Sequence, residues 1–576
     1  MRLTLTTFLC CLYIVAGLFG GGILSAHDLP HVDTPSFKAF KADAPLVVDG
    51  VLNEPFWQKA DVATNFIDRR TQLTASQQTK VRIAYGLNDL YIAVEAFDDM
   101  IEELHASERR EDRYFRGDDF VQIHFEPSHN HRTKYGFFSN PLGTRLDGVE
   151  GYSGSSWTFG WSAEWDLAAK ILDDRWVFEM RIPYGVMHYS RENDQTWGFN
   201  VSRSIPRLDQ FSWWSFNPTD SFRPHNFGHA TDFDLAGTEF DRNLEISPYV
   251  SSQVDFNGDT DTGFQAGIDA SFRLSPSIIT SLTLNPDFGQ VEADADTIEL
   301  RDTERFLPER RPFFREGSEL LIMPHRLYYT RRFTDIQAGA KVSGEYKDFN
   351  FTFLNIQGET VHGQTRDGNS SVFRAVQNIG TKSSLGYYLN SSEFKDGHSR
   401  VLSSDGYFFL TDNLRFEFQA SAADDKIVDD SGTVTKDSTD YLGLVSLSYE
   451  KYPWELTASF NAITDEFDPN LGLIFRRNIF GPTMLAAYRH DSQQAWYKSL
   501  DVVFDTQHYN NEDDRRVLED YQLSSRVVFP NDFGIHASHS IDFHDPYDDR
   551  RTSAGISFNT TDYWKTTDIA WAGGVF

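Results

Sequence analysis

Cysteine is nearly absent. The 576 residues hold only two, Cys10 and Cys11, adjacent and inside the N-terminal apolar stretch. The remainder can form no disulfide and no thiolate metal site. Cations are outnumbered, 53 Lys and Arg against 85 Asp and Glu, for a formal net charge of −32. Binding a phosphate backbone needs clustered Lys and Arg, so nucleic acid is not an expected partner. Long apolar runs are missing beyond residue 25, and mean hydropathy is −0.46. A spanning helix needs ~20 apolar residues, so none is expected there; a transmembrane β-barrel, apolar on one face of each strand, is not excluded. Residues 37–236 show no helical period longer than two turns, and the chain has no nucleophile elbow, no Walker loop and no dinucleotide-binding glycine pattern. Nothing therefore calls for an organic cofactor, and none is required.

What is abundant is aromatic: 12 Trp, 24 Tyr and 48 Phe, 15% of the chain. Disorder goes with few aromatics, so ordered cores are expected. The length allows roughly three or four ordinary domains, or fewer if one is a large barrel.

Arg2 precedes an apolar stretch from Leu3 to Leu24, and Leu24-Ser25-Ala26 forms a small-residue cleavage site before His27. Residues 1–26 read as a secretory signal peptide, with a retained anchor as the alternative.

Residues 37–236 contain eight of the 12 Trp and a series of short alternating runs, such as Lys80–Tyr85, Leu90–Val94, Phe120–Phe125, Trp176–Ile182 and Trp197–Val201. Turn residues separate them at short intervals, which predicts an antiparallel, jelly-roll-like β-sandwich. From 243 to 576 the alternating segments lengthen, as in Phe264–Leu274, Ile336–Tyr346, Tyr441–Tyr449 and Ile535–Phe543. Roughly 14–18 such segments, with aromatics at their ends and acidic turns between them, predict an antiparallel transmembrane β-barrel around a hydrated lumen. A soluble all-β domain is the alternative, although no blade-length repeat supports a propeller. The expected fold class is all-β throughout.

Leu46 to Ala60, with Asp49-Gly50-Val51-Leu52-Asn53-Glu54-Pro55-Phe56-Trp57, resembles the opening strand of family 9 carbohydrate-binding modules. Thr79–Tyr85, Asp89–Val94, Gly117–Phe120 and Trp176–Pro183 match later strands in the right order. Asn285 to Asp294, Glu304 to Gly317, Leu327–Arg332 and Thr464–Gly472 are similar to an uncharacterised bacterial outer-membrane barrel domain of the DUF5916 type. Relatives of that domain usually run longer, which leaves open a chain lacking its last strands. The resemblances imply a bacterial outer-membrane location, glycan capture by the sandwich, and a structural calcium ion.

A sugar-binding face needs flat apolar area beside polar groups, and Trp supplies it at low entropic cost. Trp157, Trp161 and Trp165, on or beside a Gly/Ser/aromatic loop, and Trp213 of the Trp213-Trp214 pair are the candidates, each with a core role as the alternative. Asp118 and Asp119, helped by Asp98, Asp99 or Asp147, are the candidate calcium ligands, or else turn-capping residues. His129 and His131 read as solvated.

The expected partners are a polysaccharide or oligosaccharide and outer-membrane lipid. The alternative function is hydrolysis of O-glycosyl bonds in polysaccharide catabolism, with the carboxylates drawn from Glu292, Asp294, Asp296 and Glu299. The same run, followed by Arg301, Arg305, Arg310, Arg311 and Arg315, also reads as a charge-paired plug crossing a lumen. A third possibility is a sandwich that no longer binds sugar and only organises the barrel.

Overall fold

The computed structural model describes residues 34–575 except 130, 132, 151–160, 162, 190–192, 239–243, 256–260, 287–303, 305, 308, 310, 316, 363, 381, 396, 429–432, 493, 494, 545, 546 and 561–565. The expected signal peptide, Trp157, the run Glu292–Glu299, Arg301, Arg305 and Arg310 lie outside the described residues.

Period-two alternation builds the N-terminal module. An eight-stranded sheet runs Ser36–Lys38, Gly228–Phe233, Gln195–Ile205, Phe120–Glu126, Lys134–Ser139, Arg145–Glu150, with Gln210–Trp213 and Ile67–Asp68 attached off that path. It faces a five-stranded sheet ordered Phe40–Lys41, Thr79–Tyr85, Asp89–Phe97, Arg175–Pro183, Asp166–Ile171. Among the described residues only the two short N-terminal strands pair parallel; the other pairings are antiparallel. Val81, Ile83, Ile92, Val94, Val121, Ile123, Phe178 and Val201 point between the sheets and are fully buried. Each contributes about 1.5–3 kcal/mol by leaving water. The result is a sandwich whose alternation is read directly from the strands.

The C-terminal half is one antiparallel meander of 17 strands, from Glu245–Asp255 to Thr567–Val575. Among the described residues its first and last strands do not pair with each other. The sheet is nevertheless curled, because successive strands grip a common interior segment. Lys341 Nζ donates to the Phe313 carbonyl at 2.5 Å, Arg374 Nε to Leu320 at 3.0 Å and the Tyr388 hydroxyl to Leu327 at 3.0 Å. Further round, His325 N donates to Gln419 Oε1 at 2.7 Å, and His325 Nε2 lies 2.9 Å from Asn461 Oδ1.

Part of this interior is filled by apolar side chains. Leu354, Ile356, Val372, Tyr388, Val401 and Leu442 point inward and pack on Phe313, Phe314, Leu327, Phe467 and Leu471. Between them stand buried polar side chains of the same inner face, among them Arg374, Ser403 and Gln419. Arginines pin the interior segment: Arg311 pairs with Glu309 at 2.8 Å and Arg332 with Glu304 at 2.7 Å. Of the charged run read as a plug, only Arg311 and Arg315 are among the described residues.

The outer face carries bare apolar side chains, bordered by exposed charges such as Arg400, Glu393 and Asp424. Leu389 is 48% exposed beside buried Tyr388, Leu402 62% beside Val401, and Tyr441 58% beside Leu442. Neighbours in sequence thus split between a packed interior and an uncovered exterior.

One rim of the meander carries the module. Ser128 Oγ donates to Glu345 Oε2 at 2.8 Å, Arg223 pairs with Glu450 at 2.9 Å, and Lys498 with Asp209 at 3.3 Å. The His225 and Phe409 rings meet at 5.3 Å, and Arg273 donates to the Gly185 carbonyl. Glu345, Phe409, Glu450 and Lys498 each lie at or beside a strand end on that rim.

Candidate functional site

The sandwich opens where its two edge strands, Arg145–Glu150 of one sheet and Asp166–Ile171 of the other, come side by side. Alternation places Arg145 and Asp147 on one face of the first strand. In the second sheet, Asp166 stands opposite Arg181 in register. Together with Glu111, Asp112, Glu164 and Trp165 they line a cleft of about 540 Å³. That volume falls within the ~300–1,000 Å³ range of small-molecule sites.

Hydrogen bonds fix the walls. Arg145 donates to Glu111 Oε1 through Nε at 3.0 Å and Nη2 at 2.8 Å, and through Nη1 to the Trp165 carbonyl. Its guanidinium also lies 5.8 Å from the Trp165 ring. Arg181 Nε donates to Asp166 Oδ2 at 2.8 Å. The Trp165 indole N–H donates to Asp147 Oδ2 at 2.8 Å, while Asp147 Oδ1 is buried and makes no hydrogen bond. Burial pushes the Asp147 carboxyl up to about 7, against the Trp165 hydrogen bond that lowers it. Asp112 is raised too, chiefly by burial. Arg315, on the short helix Pro312–Arg315 of the barrel's interior segment, opposes both shifts through its charge. The cleft therefore looks toward the plugged barrel.

Five carboxylates and two guanidiniums converge on this cleft. Carboxylates accept hydrogen bonds and guanidiniums donate them, so the cleft can engage a polyhydroxylated ligand from both directions.

The expected aromatic platform differs. Trp161, Trp165 and Trp213 are 6%, 3% and 1% exposed, too little for stacking on a sugar. Trp161 packs on Tyr135 and Trp165 on Phe137, with ring centroids 5.4 Å apart in each pair. Trp213 stacks on His124 on the other face of the larger sheet. Trp214 turns inward to Phe37 and Phe199, so the pair does split between faces, but neither ring is left bare. A loop rich in Trp satisfies a core as well as a ligand, and sequence alone does not separate the two. Trp165 still borders the cleft, where its N–H holds Asp147.

The calcium expectation also gives way to a different use of its residues. Asp118 accepts from Ser107 N and Glu108 N at 2.9 Å, Ser107 Oγ at 2.8 Å and Asn140 Nδ2 at 3.1 Å. Asp119 accepts from His105 N at 2.9 Å. Asp98 pairs with Arg203 and Arg207, whose charges also reach Asp119. Calcium takes 6–8 oxygen ligands; here loop donors occupy Asp118 and guanidiniums supply the positive charge. Asp99 accepts from Gln77 Nε2 at 2.6 Å, and Asp147 belongs to the cleft instead.

A carbohydrate binding module family 9 from Caldicellulosiruptor kristjanssonii, in complex with glucose, is similar over the N-terminal part. It is 15% identical and covers 34% of this chain and 95% of that one, with a TM-score of 0.26. A family 9 carbohydrate binding module from Caldicellulosiruptor kristjanssonii in complex with cellotriose is 16% identical over 34% of this chain and 93% of that one, with a TM-score of 0.25. Pseudomonas aeruginosa OprD is 10% identical and covers 82% of this chain and 100% of that one, with a TM-score of 0.29. No curated protein matches the sequence. Residues 242–351, the start of the meander and the interior segment, match the family described as "Domain of unknown function (DUF5916)".

Proposed function

We propose that this is an exported protein of the bacterial envelope whose meander sits in the outer membrane and whose sandwich captures a saccharide at the barrel rim. The observation that carries the binding half is the cleft, where charged donors and acceptors converge around the unbonded Asp147 Oδ1. The strand motifs resembling family 9 modules support a sugar as the ligand class. The bare outer face of the meander supports lipid as its surroundings, since monomers in water rarely expose contiguous apolar patches beyond a few hundred Å².

The test is calorimetry on the full chain in detergent, with glucose and cellotriose as first probes and a wider glycan array after them. Saturable binding is expected. Arg181→Ala and Asp147→Ala are each expected to weaken it about tenfold or more, the cost of losing one charged hydrogen-bond partner. An array with no saccharide bound, or affinities unchanged in both variants, contradicts the reading and leaves the sandwich as an organiser of the barrel rim.

A further inference from the structure

A second constellation lies on the outer face of the larger sheet, away from the cleft. Glu126, Gly198 and His229 stand opposite one another on three adjacent strands. Their inward neighbours Phe125, Phe199 and Ala230 fill the core, so the row itself faces out. Gly198 leaves a gap in the row: a Cβ there would come within 2.5 Å of Glu126 Oε2.

The turn after Glu126 brings two more imidazoles over this row. His129 and His131 both adopt left-handed backbone conformations, with φ of 45° and 61°. Non-glycine residues rarely hold that conformation, and here it occurs twice in three residues. His131 N donates to Glu126 Oε1 at 2.8 Å, and the His131 Nδ1, itself buried and without a hydrogen bond, stands 3.4 Å from Glu126 Oε2. His129 Nε2 lies 3.2 Å from His229 Nδ1, and at that distance two ring nitrogens share at most one proton. One ligand atom each from Glu126, His129 and His131 lie within 4.8 Å of one another.

From this arrangement we infer a binding site for a zinc-class divalent cation, ligated by Glu126, His129 and His131, with His229 orienting the His129 ring. Neighbouring ligand atoms on tetrahedral zinc, bound at ~2.0–2.1 Å, stand about 3.4 Å apart. The His131–Glu126 separation already matches that spacing. Two imidazoles and one carboxylate suit zinc, nickel or copper, whereas calcium asks for an all-oxygen shell. Three protein ligands leave a fourth position for water. A partner on the second ring nitrogen of a ligating histidine fixes its orientation, the part His229 takes here. Ser128, in the same turn, bonds Glu345 at the barrel rim, so the ion would stiffen the turn that seats the module.

The test uses the full chain in detergent, stripped with chelator and titrated with Co²⁺ and Zn²⁺. One equivalent of Co²⁺ is expected to give the visible absorption of a four- or five-coordinate ion, displaced by Zn²⁺ and untouched by equal Ca²⁺. Glu126→Gln and His131→Ala are each expected to weaken Zn²⁺ binding more than about 100-fold, and His229→Ala about tenfold, as losing an outer partner does. His131→Ala alters only the turn, and its circular dichroism reports whether the sandwich still folds. A wild-type chain with no Co²⁺ band, equal competition by Ca²⁺, or an unchanged Zn²⁺ affinity in the folded His131→Ala variant overturns the proposal.

Discussion

Asp147 is the residue on which the cleft's chemistry turns. Burial holds its carboxyl near 7 rather than 3.8. In the unfolded chain it ionises at the ordinary value, while the folded chain keeps its proton to about 7. Between the two the folded state binds more protons, so this residue's contribution to stability falls as pH rises through that window. Asp147→Asn removes the titration. The module's melting temperature is therefore expected to decline less steeply between about pH 4 and pH 7 in the variant, read by tryptophan fluorescence; an unchanged slope contradicts the assignment. This residue appears in the sequence reading only as a helper to a calcium ion. Its hydrogen-bond partner Trp165 and the Asp166–Arg181 pair across the cleft are brought to it by the sheet edges, not by proximity in the chain. The His129–His131 turn shows the same limit: its spacing looks idle until Gly198 and His229 are folded beside it.

At the scale of the strand, alternation was legible because the side-chain period of a pleat is two. It delivered the sandwich core at Ile83, Ile92 and Val121, and the long C-terminal strands. It did not tell inside from outside in pairs such as Val401 and Leu402, where both neighbours are apolar. Only the interior segment decides, by covering Val401 and leaving Leu402 bare. Two substitutions separate the faces. Leu354→Ala, in the packed interior, is expected to cost about 2–5 kcal/mol by cavity formation. Leu402→Arg is expected to cost about 2–4 kcal/mol in lipid vesicles if it lies near the membrane midplane. Urea unfolding of each variant in vesicles checks both. A neutral Leu402→Arg would mean that this face meets water.

For the whole molecule, the coupling of module to barrel was not legible in the sequence. Each half carries its own patterning, and the contacts between them join residues far apart in the chain, such as Arg223 with Glu450, 227 positions away. That ion pair is about three-quarters buried on both sides. A double-mutant cycle on Arg223→Ala and Glu450→Ala is expected to give a coupling of about 0.5–1 kcal/mol in the module's unfolding free energy, near the top of the range for exposed pairs. Zero coupling would mean that module and rim are not seated as described. The Arg311–Glu309 and Arg332–Glu304 pairs of the interior segment follow the rule that charges in an enclosed space are paired.

The claim beneath all of this is that the meander's outer face contacts lipid, and spin-label accessibility at position 402 tests it most directly. In a Leu402→Cys chain with Cys10 and Cys11 replaced by serine, labelled and reconstituted in vesicles, the label should collide readily with dissolved oxygen and rarely with a water-soluble nickel chelate. The reverse preference would place that face in water and contradict the account.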